Sequence, residues 1–257
     1  MTHSIEVENG TAVKLPTAGK YCDRDILVTA TGGGGYTEAD LQTKYNEGAQ
    51  AEYDRFWDSF QQNGSRTGYG YAFGGWTAEA FKPKYSMSPT NCTYMFAKMV
   101  DTMSLTEALE QAGVVLDTSL SNNHTGMFFE STRITEIPHI DLSKSAYATN
   151  LFNYCLSLRE VEITVAANTV PNYSGWFTRC DVLEDLKVNG VIDKSGLTLQ
   201  QSPKLSADSI ANVVNALSST TSGLSVTFSK TAVDNAFTME KWAALAATKS
   251  NWTINLV

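Results

Sequence analysis

The residues of this chain that could do chemistry are few and scattered. Its three histidines, His3, His124 and His139, fall in no metal-binding or hydrolase spacing, and His139, following Pro138, reads as a surface residue. None of the four cysteines, Cys22, Cys92, Cys155 and Cys180, forms a C-x-x-C pair, so zinc and dithiol redox chemistry have no scaffold. No G-x-S-x-G nucleophile turn occurs. The run Gly32-Gly33-Gly34-Gly35 is followed by Tyr36-Thr37-Glu38, which lacks the lysine and hydroxyl residue of a phosphate loop. Glycoside hydrolysis would need two carboxylates converging at a cleft, and no pair stands out. The expectation is a non-enzymatic protein with no cofactor and no metal.

The cysteines and aspartates acquire a meaning from a repeat. The series Phe128–Ser131–Ile134–Ile137–Ile140, Phe152–Cys155–Leu158–Val161–Ile163 and Phe177–Cys180–Leu183–Leu186–Val188 share one pattern, with phenylalanines 24 and 25 residues apart. Thr93-Tyr94-Met95-Phe96 begins an earlier, longer unit that includes the helical stretch Leu105–Ala112. A unit of this length cannot bury its own apolar face and must stack on its neighbours, which predicts a solenoid. Cys155 and Cys180 then stand where Ser131 stands in the first series. They read either as an inter-repeat disulfide or as a column of small buried residues, and the column is the reading adopted. An aliphatic–Asp–x–Ser element recurs at Leu116–Ser119, Ile140–Ser143 and Ile192–Ser195, where the carboxylate can accept from the backbone and stabilise a turn.

The elements around the repeats divide the chain. Residues 1–31 read as a small β module, with Ile5 and Val7 alternating before the hairpin signal Asn9-Gly10. Residues 32–36 form a glycine hinge. Within 37–90, an amphipathic helix is predicted from Thr37 to about Gln62. It caps the repeats or self-associates. The aromatic-rich stretch after it, with Tyr69, Tyr71 and Trp76, forms either a binding patch or part of that cap. Repeats occupy 91–200. Residues 201–257 form an α/β cap: a helix from Ser206 to Leu217, a strand at Leu224–Phe228, a helix from Thr238 to Lys249 and a last strand near Trp252–Leu256.

Composition limits the partners. A net charge of −8 argues against a nucleic-acid or anionic-membrane footprint. No apolar run is long enough to span a bilayer, and Met1–Glu8 has no signal-peptide pattern.

The phenylalanine series resembles bacterial leucine-rich repeats of the BspA type, F-x-x-C-x-x-L-x-x-[IVL], over roughly residues 91–200. Leu15–Ile26 and Ala247–Thr253 resemble phage and prophage proteins of gut Firmicutes, which are tail- or virion-associated. The fold class expected is therefore α/β, a leucine-rich-repeat solenoid with irregular short coils, helical caps and a small N-terminal β module. The resemblance implies a virion protein of the phage tail, made in the bacterial cytoplasm. Its N-terminal module would meet other tail proteins, its repeat face would contact a host-surface protein or glycan, and it would assemble as a homo-oligomer, often a trimer. Along that face the polar strand positions Glu136, Glu160, Glu162, Asp185 and Lys187 should line up as an acidic surface, joined by Tyr69, Tyr71 and Trp76. Two alternatives stand beside this: an architectural virion protein packing on neighbouring subunits, and a bacterial surface protein with the same repeats.

Overall fold

Each repeated phenylalanine sits midway between two residues of left-handed backbone. Tyr94 and Lys98 flank Phe96, Gly126 and Glu130 flank Phe128, Asn150 and Tyr154 flank Phe152, and Gly175 and Arg179 flank Phe177, all with φ between 51° and 71°. Alternating the backbone hand in this way points every second N–H to one side. There each is taken by the next pass of the chain: Tyr94, Phe96 and Lys98 donate to the carbonyls of Thr125, Met127 and Phe129, and Gly126, Phe128 and Glu130 to those of Thr149, Leu151 and Asn153. The passes approach closely because large and absent side chains alternate. A Cβ on Gly126 would lie 2.3 Å from the Tyr94 ring, and one on Gly175 would lie 2.0 Å from Asn150 Oδ1.

The structure is a computed structural model that describes residues 5–6, 12–13, 72–77, 81–169 and 173–257. The chain divides into two units, Met1–Ser65 and Arg66–Val257. In the first, strand β1 (Ile5–Glu6) pairs antiparallel with β2 (Ala12–Val13), with Ile5 opposite Val13 and Glu6 opposite Ala12. The glycine hinge and the predicted helix at 37–62 lie outside the described residues, as does Cys22.

In the second unit the order is β3 (Met103–Ser104), α1 (Leu105–Ala112), β4 (Ile134–Glu136), β5 (Ile140–Asp141), β6 (Glu160–Val165), β7 (Asp185–Gly190), β8 (Leu197–Leu199), α2 (Ala207–Ala216), β9 (Leu224–Phe228), α3 (Lys230–Ala236), α4 (Met239–Ala247) and β10 (Trp252–Leu256). Strands β3 to β7 make one five-stranded parallel sheet, and β8, β9 and β10 a second parallel sheet in the order β10-β9-β8. Four serine or threonine N-caps start the helices: Ser104, Ser206, Ser229 and Thr238 each accept from the backbone N–H three residues on.

The expected leucine-rich-repeat solenoid is corrected by this arrangement. The fold is mixed α/β, with a parallel sheet curled into a half-barrel and four helices among the described residues. A solenoid of such repeats would run one strand per unit in a uniform ladder. Here Pro138 interrupts the second strand, so that β4 and β5 both pair with the same strand, β6, through Glu136↔Glu160 and Ile140↔Ile163. The register between β3 and β4 shifts, and beyond β7 the chain turns into a helix and a separate sheet.

What the phenylalanine spacing produces is a core stack. Phe73, Phe96, Phe128, Phe152 and Phe177 follow one another with centroids 5.2, 5.5, 5.6 and 5.3 Å apart and interplanar angles of 8° to 24°. All five rings are buried. Beside them runs the small-residue column. Ser131 Oγ donates to Phe96 C=O at 2.5 Å, Cys155 Sγ to Phe128 C=O at 3.1 Å and Cys180 Sγ to Phe152 C=O at 3.3 Å. The described cysteines Cys92, Cys155 and Cys180 are free and buried. Burial pushes the Cys180 thiol up to about 12 and that of Cys155 well above its ordinary value.

Candidate binding groove

Pairing in register converts sequence spacing into a surface. Glu136 lies opposite Glu160, and Glu160 opposite Asp185, so three carboxylates form one row across β4, β6 and β7. Adjacent strands are about 4.8 Å apart, and like charges directly opposite destabilise a sheet. The row's two ends are relieved in the same way. Ser104 Oγ donates to Glu136 Oε2 at 2.7 Å, and Ser206 Oγ to Asp185 Oδ1 at 2.9 Å. Both serines are helix N-caps, so each end carboxylate also lies near the positive end of a helix, α1 or α2. Glu160, between them, is exposed and makes no side-chain hydrogen bond or ion pair to a described residue.

The next row is mixed in charge. Glu162 lies opposite Lys187, whose Nζ is 2.8 Å from Glu162 Oε1, and Asn189 Nδ2 donates to the same oxygen at 2.8 Å. These two donors hold the Glu162 carboxyl below the usual carboxylate range, with His139 adding a smaller attraction. Alongside, His139 Nε2 meets Thr164 Oγ1 at 2.8 Å.

These rows form the floor of an open groove of about 670 Å³, walled by Thr106 of α1 on one side and by Asp208, Ser209 and Asn212 of α2 on the other. Helix α2 also seals the edge of the sheet. Leu186 N–H donates to Ser209 Oγ at 2.9 Å and Val188 N–H to Asn212 Oδ1 at 2.7 Å, so two helical side chains, three residues apart, replace a neighbouring strand.

No family model, curated protein or solved structure matches this chain. The reading of the groove therefore rests on its own geometry. Five expected surface residues, Glu136, Glu160, Glu162, Asp185 and Lys187, all line it. Trp76 does not belong to a surface: it is 5% exposed, edge-on to Phe73 at 5.2 Å, because the aromatic stretch packs onto the end of the phenylalanine stack. Tyr69 and Tyr71 lie outside the described residues. Thr106, His139, Asp208 and Asn212 join the groove unforeseen. Helical spacing alone does not reveal that the first turns of α1 and α2 face the same strand row. Among the described residues no group of three or more His, Cys, Asp or Glu side chains converges to hold a metal ion. What the groove can do chemically is accept hydrogen bonds and positive charge along an extended line, with the least compensated acceptor at its centre.

The recurrent aspartates divide. Asp117 Oδ1 accepts from Ser119 N–H and Asp141 Oδ1 from Ser143 N–H, the turn geometry expected. Asp193 is buried and reaches elsewhere, accepting from Asn168 N–H at 2.7 Å across a long loop.

Proposed function

We propose that this chain is a non-enzymatic binding protein of a phage tail or related virion, and that its groove grips a cationic segment of a host-surface protein. The observation that carries the reading is the in-register row Glu136–Glu160–Asp185, whose end carboxylates are satisfied from within while Glu160 is left to an outside partner. A lysine or arginine laid along the groove would replace the missing counter-charge at Glu160 and extend to Asp208. The particle context rests on the likeness of Leu15–Ile26 and Ala247–Thr253 to tail-associated proteins, with residues 1–31 as the attachment module.

An oligolysine peptide titrated against the full chain tests the groove, followed by adsorption of the labelled chain to candidate host cells. Binding should weaken as salt rises, because the contact is made at an open surface. Glu160→Lys should weaken it by about tenfold or more, equivalent to ~1.4 kcal/mol. Equal affinity in wild type and Glu160→Lys would sink the proposal. Adsorption to cells that ignores both salt and this substitution would instead assign recognition to a neutral ligand such as a glycan.

A further inference from the structure

The two sheets finish differently. The β7 edge is sealed by Ser209 and Asn212, but β10, one of the two outer strands of the second sheet, has no such cover among the described residues. Val257 N–H donates to Phe228 C=O, and Val257 C=O accepts from Lys230 N–H. Alternation along the strand therefore turns the odd-numbered residues toward β9, and the N–H and C=O groups of Ile254 and Leu256 away from it. Those groups find no hydrogen-bond partner among the described residues. Trp252–Leu256 contains no charge, no proline and no bulge against β9, the usual devices that blunt an edge. Helix α4 (MEKWAALAA), which precedes β10 and sets Trp242 edge-on to Phe228 of β9, has no fully buried residue, and Met239 is 89% exposed.

We infer that β10 pairs with β10 of a second copy of this chain, antiparallel about a two-fold axis at Ile254, joining two three-stranded sheets into one. The strand is its own complement. Ile254 N–H and C=O meet the C=O and N–H of Ile254 in the second copy, and Leu256 N–H meets the C=O of Trp252. Thr253 falls opposite Asn255, so no like charges face each other. An axis perpendicular to the sheet keeps α4 and its copy on the same face, where each covers the other's apolar surface. An unrelated strand would satisfy the same backbone groups but leave α4 bare. Charge favours self-pairing too: in a chain of net charge −8, β10 and α4 together carry one carboxylate, Glu240, next to Lys241.

Sedimentation equilibrium of the full chain tests the inference. The expected result is a concentration-dependent dimer of twice 28.0 kDa. Thr253→Lys with Asn255→Lys places like charges across the axis on exposed positions and should return the chain to monomer with an unchanged circular dichroism spectrum. Hydrogen exchange gives an independent reading: the Ile254 and Leu256 amides should be protected in wild type and exchange faster in the lysine variant. A wild type that stays monomeric overturns the inference. So does an oligomer, dimeric or trimeric, whose mass and amide protection the two lysines leave unchanged.

Discussion

His124 shows what a single buried group costs. Its ring is fully buried, and Nδ1 lies 3.0 Å from Ser145 Oγ. Ser145 Oγ is also 3.0 Å from Tyr147 C=O, and Nε2 of His124 is buried with no hydrogen-bond partner among the described residues. Burial lowers the imidazole to about 4 from 6.5, against a smaller opposing pull from Asp141. An unfolded chain takes up this proton near pH 6.5 and the folded chain only near 4. Stability is therefore complete above about pH 6.5 and drains as pH falls toward 4, by an amount on the order of 3 kcal/mol. Urea unfolding at pH 7 and pH 5 checks this: wild type should lose stability between them, and His124→Gln should lose less. Equal losses would place the acid sensitivity in other groups. None of this could be read from the sequence, where His124 is one histidine in a polar stretch and the chain pass that buries it lies more than twenty residues away.

Helix α2 joins the sheet through its side chains rather than by packing alone. Asn212 accepts the Val188 N–H at a strand edge that it covers together with Ser209. Asn212→Ala should cost about 1–3 kcal/mol, since it leaves a half-buried donor unpaired. It should also speed hydrogen exchange at Val188 more than at Val161 or Ile163 in the neighbouring strand. Uniform acceleration across the sheet would mean that the residue acts only on global stability. Much at this scale was legible. Leu105–Ala112, Ser206–Leu217, Leu224–Phe228 and Thr238–Lys249 carry caps and apolar periodicity strong enough to place them, and each is an element of the fold. Helix α3 was missed, because Lys230–Ala236 is short and follows a strand without a break. The strand row of the groove was legible as a set of polar positions. Its walls were not, because the meeting of α1 and α2 around it depends on how the sheet curls.

For the whole molecule, the spacing of the phenylalanines was a true signal attached to the wrong architecture. The recurring phenylalanines specify stacked rings, even across the longer unit from Phe96 to Phe128, but not that every pass contributes a strand to one uniform ladder, and Pro138 is where the two part. The stack should behave as a single cooperative core. Phe152→Ala removes a ring that touches Phe128 and Phe177, and should cost about 3–5 kcal/mol. It should also open the neighbouring thiols. In native wild type, Cys92, Cys155 and Cys180 should resist alkylation, as mapped by peptide mass spectrometry, and Cys155 and Cys180 should label first in the variant. Labelling of wild type at the rate of an unfolded peptide would contradict the closed core. The ladder beside that stack also has a direction. At the repeated turns around Phe96, Phe128 and Phe152 the bonds to the next pass run from an earlier N–H to a later carbonyl, and at the far end Arg179 N–H is met by a side chain, Gln201 Oε1, at 3.0 Å. Such a column is a polar rod whose ends are chemically unlike, one lined with acceptors and the other with donors. Gln201 is its terminator: a residue placed like a helix cap, at the end of something that is not a helix.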